Sequence, residues 1–346
     1  MIDTPNMFDY LFPQFKITKP IRLIEMFAGI GSQAKALENL EADFTHWKVI
    51  EFDEKAVKSY NAIHGTSFET SDIRSIHAGD LEINDRDIYI YILTYSFPCQ
   101  DLSMAGHQRG MSKGSGTRSG LLWEVERILD ECGGNLPQIL LMENVPQVIG
   151  KKNIKDFQLW RKRLEELGYS NYVSLLNSKD YGIPQNRERC FMVSILGNYS
   201  YVFPKKQKPK KRLKDMLESN VPESYYLSDA RLEKYADTHT HTQTESGIIV
   251  RGSLRPDKVI QNRCRVLDPN GNVQTLTATD YKDPPKIIEY GVLVPEKTKK
   301  GYRVAHDGDG IYTNRPHQKR GTVQKSMVPT IKTSPNDIGV VVNGKE

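Results

Sequence analysis

Short apolar runs alternate with amphipathic stretches from Ile21 to about Leu196. "IRLIEMF" (21–27) reads as a buried strand and "SQAKALENL" (32–40) as the helix after it. "HWKVIEF" (46–52) is a second strand, followed by the helical "DEKAVKSYNAIH" (53–64). "DIYIYILTYSF" (87–97) is a further strand that runs straight into Pro98-Cys99. In "RSGLLWEVERILDEC" (118–132), Leu121, Leu122, Val125, Ile128 and Leu129 recur at the i, i+3, i+4, i+7 spacing of an amphipathic helix. "QILLMENV" (138–145) is another buried strand, and "FQLWRKRLEELG" (157–168) a helix stopped by Gly168. Strand and helix in alternation predict an α/β fold with a mostly parallel sheet and helices on both faces.

The pattern changes after Leu196. Segments shorten, Pro, Gly, Asn and Lys accumulate, and the helical period fades, which predicts a smaller, loop-rich, β-leaning domain. We divide the chain into an N-terminal extension (1–20), an α/β domain (21–200) and the second domain (201–346). At the junction, "KKQKPKKRLK" (205–214) holds seven Lys or Arg in ten residues, and "RPHQKR" follows at 315–320. Such runs are commonly solvated faces, but they are also the footprint of phosphate-backbone binding. The net charge of +5 is mild, so distribution says more than the total. No run reaches the roughly 18 apolar residues of a membrane span, and "MIDTPNMFDY" lacks a signal-peptide pattern, so a cytoplasmic location is expected. The four cysteines (99, 132, 190, 264) are widely spaced, which argues against a disulfide framework or a zinc site. His239 and His241 in "THTHT" have no nearby cysteine or acidic pair to complete a metal site, so no metal is expected.

Candidate chemistry begins at "EMFAGIGSQAKAL" (25–37), where Gly29 and Gly31 sit between a strand and a helix. Glycines there permit a tight turn and let backbone N–H groups approach a ligand. Glu51 follows 20 residues after Gly31, at a strand end, where a carboxylate can accept from ribose hydroxyls. This much fits a nicotinamide dinucleotide as well as S-adenosylmethionine, or a turn that merely packs a helix. Phe52 could stack on adenine, and Asp72-Ile73 in "TSDIRSI" could place a carboxylate on the adenine amino group with Ile73 against the ring.

Four stretches stand in order: "FAGIG" (27–31), "FPCQ" (97–100), "ENV" (143–145) and "QNRER" (185–189). The last three sit at or just beyond strands, and strand ends of an open parallel sheet share one crevice, so Cys99 and Glu143 are expected in a common pocket. This set resembles the DNA cytosine-5 methyltransferase family over about residues 21–196. The resemblance implies a Rossmann-like S-adenosylmethionine methyltransferase fold followed by a target-recognition domain. It implies Cys99 as the nucleophile that adds to carbon 6 of cytosine, flanked by Pro98 and Gln100, and Glu143 as the acid at N3. It further implies that Arg189 reaches the base carbonyl and that Arg187 supports the site. Phe27, Ala28, Gly29, Gly31, Glu51, Phe52, Asp72, Ile73 and Pro98 are then the cofactor residues.

Cytosine within a duplex is stacked and out of reach, so it must be flipped out. The loop "AGHQRGMSKGSGTRSG" (105–120) carries five glycines along with Arg109, Lys113 and Arg118, as a segment closing over duplex DNA would. Ser103, Arg109, Arg118, Gln185 and Thr275 are the candidate DNA contacts, Thr275-Leu276 resembling a pair the family uses near the flipped base. One departure stands out: the family's later helical segment and "GNSV"-like stretch are not visible before "GVVVNGKE", so the expectations are a truncated chain, a degenerate gene, or the larger half of a split enzyme whose fold a second polypeptide completes. The sequence leaves open an RNA cytosine-5 methyltransferase and a non-catalytic DNA-binding relative. The resemblance implies a bacterial or phage protein acting at the nucleoid.

Overall fold

The computed structural model describes residues 12–102 and 109–207, followed by 211–218, 221–222, 225–227, 236–244, 246–254, 264–277, 280–288, 292–295, 302–305, 309–312, 323–324 and 338–340. The chain forms two compact units that divide at 210/211, inside the basic run and not at 200. The reason is local: Ser200 donates from its N–H to the Pro13 carbonyl (3.0 Å) and from its hydroxyl to that of Phe12 (2.8 Å). The Gln207 N–H donates to the Asp180 carbonyl (2.7 Å), so the segment after Leu196 and part of the N-terminal extension still pack on the first unit.

In that unit the strands are β1 (Ile21–Met26), β2 (Phe44–Ile50), β3 (Ile90–Tyr95), β4 (Ile139–Asn144), β5 (Tyr169–Asn177), β6 (Gln185–Asn186) and β7 (Glu188–Leu196). The helices are α1 (Ser32–Asn39), α2 (Glu54–His64), α3 (Leu122–Glu131) and α4 (Ile154–Glu166). Six strands form one sheet in the order β2-β1-β3-β4-β7-β5. The pairs β1·β2, β1·β3 and β3·β4 are parallel, whereas β7 runs antiparallel to both β4 and β5. The mostly parallel expectation therefore holds, with one reversed strand that hydrophobic pattern could not reveal.

Alternation along the strands sends side chains to two cores. Ile21 and Leu23 of β1, with Ile90 and Ile92 of β3, pack with Ala34 of α1 and with Tyr60 of α2. Ile24 and Met26, with Tyr91, Leu93 and Tyr95, pack with Leu122, Val125, Ile128 and Leu129 of α3 and with Phe157, Trp160 and Leu164 of α4. Helices thus cover both faces, and the apolar strand runs are explained: both sides of each central strand are buried.

The second unit is β-rich where described. Its strands are β8 (Ala236–Gln243), β9 (Ile249–Ser253), β10 (Arg265–Leu267), β11 (Val273–Gln274), β12 (Lys286–Ile287), β13 (Val292–Pro295), β14 (Tyr302–Ala305), β15 (Gly310–Tyr312), β16 (Val323–Gln324) and β17 (Ile338–Val340). They form a four-stranded sheet (β12-β10-β9-β8), a hairpin-like pair (β13-β14) and a three-stranded sheet (β16-β15-β17). Leu213, Ile248, Val250, Leu267 and Val273 make one small core. Among the described residues no helix is long and apolar enough to cross a membrane.

Candidate active site

The sheet edge formed by the carboxyl ends of β1, β2, β3 and β4 carries the candidate residues. β1 leads into a turn in which Phe27 (φ +57°), Gly29 (+58°) and Gly31 (+81°) all take left-handed backbone conformations. The turn is tied to β2 by Phe27 N–H donating to the Ile50 carbonyl (2.8 Å) and Gly29 N–H donating to Glu51 Oε2 (2.9 Å). Glu51 Oε1 accepts from Asp53 N–H at 2.8 Å, which fixes the carboxylate at the mouth of the turn. The two glycines do different jobs. A Cβ on Gly29 would meet nothing within 4 Å, so the backbone faces open space. A Cβ on Gly31 would lie 2.3 Å from His64 Nε2 and 2.7 Å from Tyr60 Cε2. Gly31→Ala is accordingly expected to cost about 2–4 kcal/mol from overpacking and left-handed strain, read as a lowered thermal midpoint. Gly29→Ala, which meets only the strain, is expected to cost about 1 kcal/mol.

Phe52 is 73% exposed beside Glu51, available for stacking. Asp72 is less available than the sequence suggested. Its Oδ1 accepts from Arg74 N–H and Nε (both 3.0 Å) and its Oδ2 from Arg74 Nη2 (2.5 Å), and these bonds hold its carboxyl below the usual range. Ile73 is buried in the main core, so its side chain packs inward. Ser71 N–H donates to the Glu51 carbonyl (2.9 Å), which keeps this segment next to the cofactor turn.

β3 ends at Tyr95 and delivers "FPCQ" to the same edge. The loop is clamped from three sides. Asn144, at the end of β4 and buried, donates from Nδ2 to the Phe97 carbonyl (3.0 Å), while its Oδ1 accepts from Val145 N–H (2.8 Å). Ser119 Oγ donates to the Pro98 carbonyl (2.6 Å). Buried Asp101 accepts from Arg118 N–H (3.0 Å) and Ser119 N–H (3.3 Å). Neither Asn144, Asp101 nor Ser119 was singled out from sequence; the adjacency of "ENV" to a strand end was the one available signal for the first.

The four cysteines differ in what they can do. Cys190 and Cys132 are buried, and burial pushes their thiols up to about 12 and about 11. Cys99 is half-buried, packed at the edge of the main core with an accessible face, as an attacking thiolate requires. Glu143 projects from β4, and its Oε1 lies 3.1 Å from Arg189 Nε and 3.9 Å from Arg187 Nη2. Arg189 is largely buried; burial first, then the Arg187 charge, holds its guanidinium below the ordinary arginine value, opposed by the neighbouring Glu143 and Cys99 side chains. One guanidinium thus senses both proposed chemical groups, and Cys99, Glu143, Arg187 and Arg189 are brought together.

The arginines arrive by a route the sequence did not disclose. Arg187 immediately precedes β7 and Arg189 is its second residue, and because that strand is reversed, its beginning coincides with the carboxyl ends of its neighbours. The Asn177 side chain fixes the entry, its Oδ1 accepting from Arg187 N–H (3.1 Å) and its Nδ2 donating to Asn186 Oδ1 (2.9 Å). Gln185 is half-buried in β6 beside them, its carbonyl accepting from Ser178 Oγ (2.7 Å). Gln100 and Arg118 pair with each other, Nη1 donating to Oε1 at 2.8 Å, and so tie the two ends of the glycine-rich loop. Arg109 is exposed, and Ser103 lies outside the described residues. Thr275 belongs to the second unit, just past β11.

A family model described as C-5 cytosine-specific DNA methylase matches residues 21–335. The chain is 35% identical to the orphan methyltransferase M.SssI of Spiroplasma monobiae, covering 78% of this chain and 82% of that protein. It is 34% identical to the type II methyltransferase M.NlaX of Neisseria lactamica, over 77% of this chain and 78% of the relative. The crystal structure of S. pombe Dnmt2 methyltransferase shares the fold at a TM-score of 0.54 and 21% identity, covering 77% of this chain and 73% of that one. The protein therefore belongs to the C-5 cytosine-specific DNA methylase family.

Proposed function

We propose that the chain transfers a methyl group from S-adenosylmethionine to carbon 5 of a cytosine swung out of duplex DNA, through a covalent bond between Cys99 Sγ and carbon 6. The observation that carries this reading is the Cys99–Arg189–Glu143 grouping at the sheet edge that also bears the Gly29 turn. The cofactor residues fit their ligand: open space over Gly29, a fixed carboxylate at Glu51 and an exposed ring at Phe52. When bound, S-adenosylmethionine supplies an electrophilic methyl group. Asp72 would share its carboxylate between Arg74 and the adenine amino group, and Pro98 would line the crevice.

Each side chain has one task. Cys99 thiolate forms the S–C6 bond, and the displaced π electrons move toward N3, where Glu143 gives up a proton. Glu143 Oε1 faces the arginines, and the side chain keeps 22% exposure, which leaves the carboxyl accessible to the base. Arg189 holds the cytosine carbonyl oxygen and Arg187 keeps Glu143 oriented. Carbon 5, made electron-rich, takes the methyl group; loss of its proton then restores the C5–C6 double bond and breaks the S–C6 bond. Arg109, Arg118, Gln185 and Thr275 contact DNA in this reading, with the second unit recognising the target.

Duplex DNA containing 5-fluorocytosine tests the proposal, because fluorine cannot leave as a proton does and the adduct is trapped. Incubation with S-adenosylmethionine is expected to give a denaturation-resistant complex whose cross-linked peptide contains Cys99. Methylation without any trapped complex would overturn the covalent step. Tritiated methyl incorporation into duplex DNA against transfer RNA separates the two substrates. Turnover by the purified chain alone, compared with added extract, decides whether a second polypeptide is needed.

A further inference from the structure

Away from the catalytic edge, α1, β2 and α2 gather three side chains that lie far apart in sequence. Glu38, His46 and His64 each place one ligand atom within 4.8 Å of the others. Neighbouring hydrogen bonds determine which atoms face inward. His64 Nε2 lies 3.1 Å from the Ile30 carbonyl, which can only accept, so that nitrogen carries a proton. Its other nitrogen, Nδ1, is 2.5 Å from Glu38 Oε1. His46 Nδ1 is 2.7 Å from the Tyr60 hydroxyl, whose own proton goes to Glu25 Oε2 at 2.6 Å. His46 Nδ1 is therefore the donor, and its Nε2 turns a lone pair toward Glu38 Oε1, 3.9 Å away. Three acceptors converge, and a proton on His64 Nδ1 satisfies one pair only. A divalent ion would serve all three.

We propose that Glu38, His46 and His64 form a binding site for a zinc-class divalent metal ion beneath the turn that carries Gly29 and Gly31. Two imidazoles and one carboxylate with a water in the fourth position are a ligand set zinc accepts. The outer shell needed to orient metal-bound imidazoles is in place: Tyr60 and Glu25 stand behind His46, and the Ile30 carbonyl behind His64. The Phe44 and Tyr60 rings pack on the His46 ring at centroid distances of 5.0 and 5.7 Å, giving the site an apolar wall. Entry is from the Glu38 side, where the carboxylate is 28% exposed, whereas the His64 side chain is fully enclosed. Lys35 Nζ, 2.7 Å from Glu38 Oε2, is the competing cation; it is 55% exposed and can swing out. Because His64 holds the Ile30 carbonyl and abuts Gly31, an ion here would brace the cofactor turn.

Cobalt(II), a spectroscopic stand-in for zinc, tests the site in the full chain. Titration should give visible absorption of tetrahedral intensity that saturates at one equivalent and is displaced by zinc, together with a raised thermal midpoint. Glu38→Gln and His46→Gln should each weaken cobalt affinity about tenfold or more, while Lys35→Met should tighten it. Near-ultraviolet thiolate charge-transfer bands would assign the binding to cysteine instead and overturn the proposal. So would a spectrum unaltered in both weakened variants, or no saturable spectrum with a folded protein by circular dichroism.

Discussion

Cys99→Ser is expected to lower methyl transfer by about a thousandfold or more, while leaving the fold and DNA affinity near those of the parent. A serine hydroxyl ionises far above neutrality and is a harder nucleophile, so the S–C6 bond has no effective replacement. The structure says why the loss should be confined to chemistry. Loop position depends on backbone and neighbouring groups: Leu102 N–H donates to the Cys99 carbonyl (3.0 Å), Asn144 holds the Phe97 carbonyl, and Ser119 holds that of Pro98. None of these bonds involves the sulfur. Single-turnover methylation and an electrophoretic binding assay on the same preparation separate the two effects. Retention of more than about a tenth of parental turnover by the serine variant would mean that carbon 6 is not attacked by this residue.

Much of the first unit was legible in the sequence because its central strands are buried on both faces. Continuous apolar runs such as "IYILTY", ending at Tyr95, could scarcely be anything else. Direction was not legible, since hydrophobic period is the same in parallel and antiparallel strands. The reversed β7 had to be seen before it was clear why Arg187 and Arg189, at the beginning of a strand, meet Glu143 at the end of one. The chemistry-bearing residues showed themselves as short motifs, but the groups that hold them did not. Asp101, Ser119 and Asn177 act largely through hydrogen bonds to loop backbone, and such residues abound in any loop. Asp72 stands in the sequence as a candidate carboxylate for the adenine amino group, but nothing in the motif shows that Arg74, two residues on, binds it. The Glu38–His46–His64 cluster illustrates the general limit. Its members come from three elements, and the absence of metal-ligand spacing in the chain said nothing about their convergence.

Glu143→Gln should produce the second-largest effect, about 10²- to 10⁴-fold on the chemical step, because an amide matches the carboxyl in shape but cannot supply the proton at N3. The amide oxygen can still accept from Arg189 Nε, so side-chain position should survive. Charge balance should not. The carboxylate is what offsets two adjacent guanidiniums, and Arg189 already has its pKa held down by burial and by Arg187. Removing the negative charge leaves a mostly buried Arg189 facing the Arg187 cation without an offsetting charge, which should cost some stability as well as rate. Arg189→Ala tests whether the two side chains act as a unit. In the parent it should cost rate both by leaving the base carbonyl unheld and by removing the guanidinium 3.1 Å from Glu143, and in the Glu143→Gln background the second part of that loss should vanish, since the proton-donating arrangement is already gone. Full additivity of the two substitutions in single-turnover rates would mean that Arg189 and Glu143 contribute independently, and that their 3.1 Å contact serves packing alone.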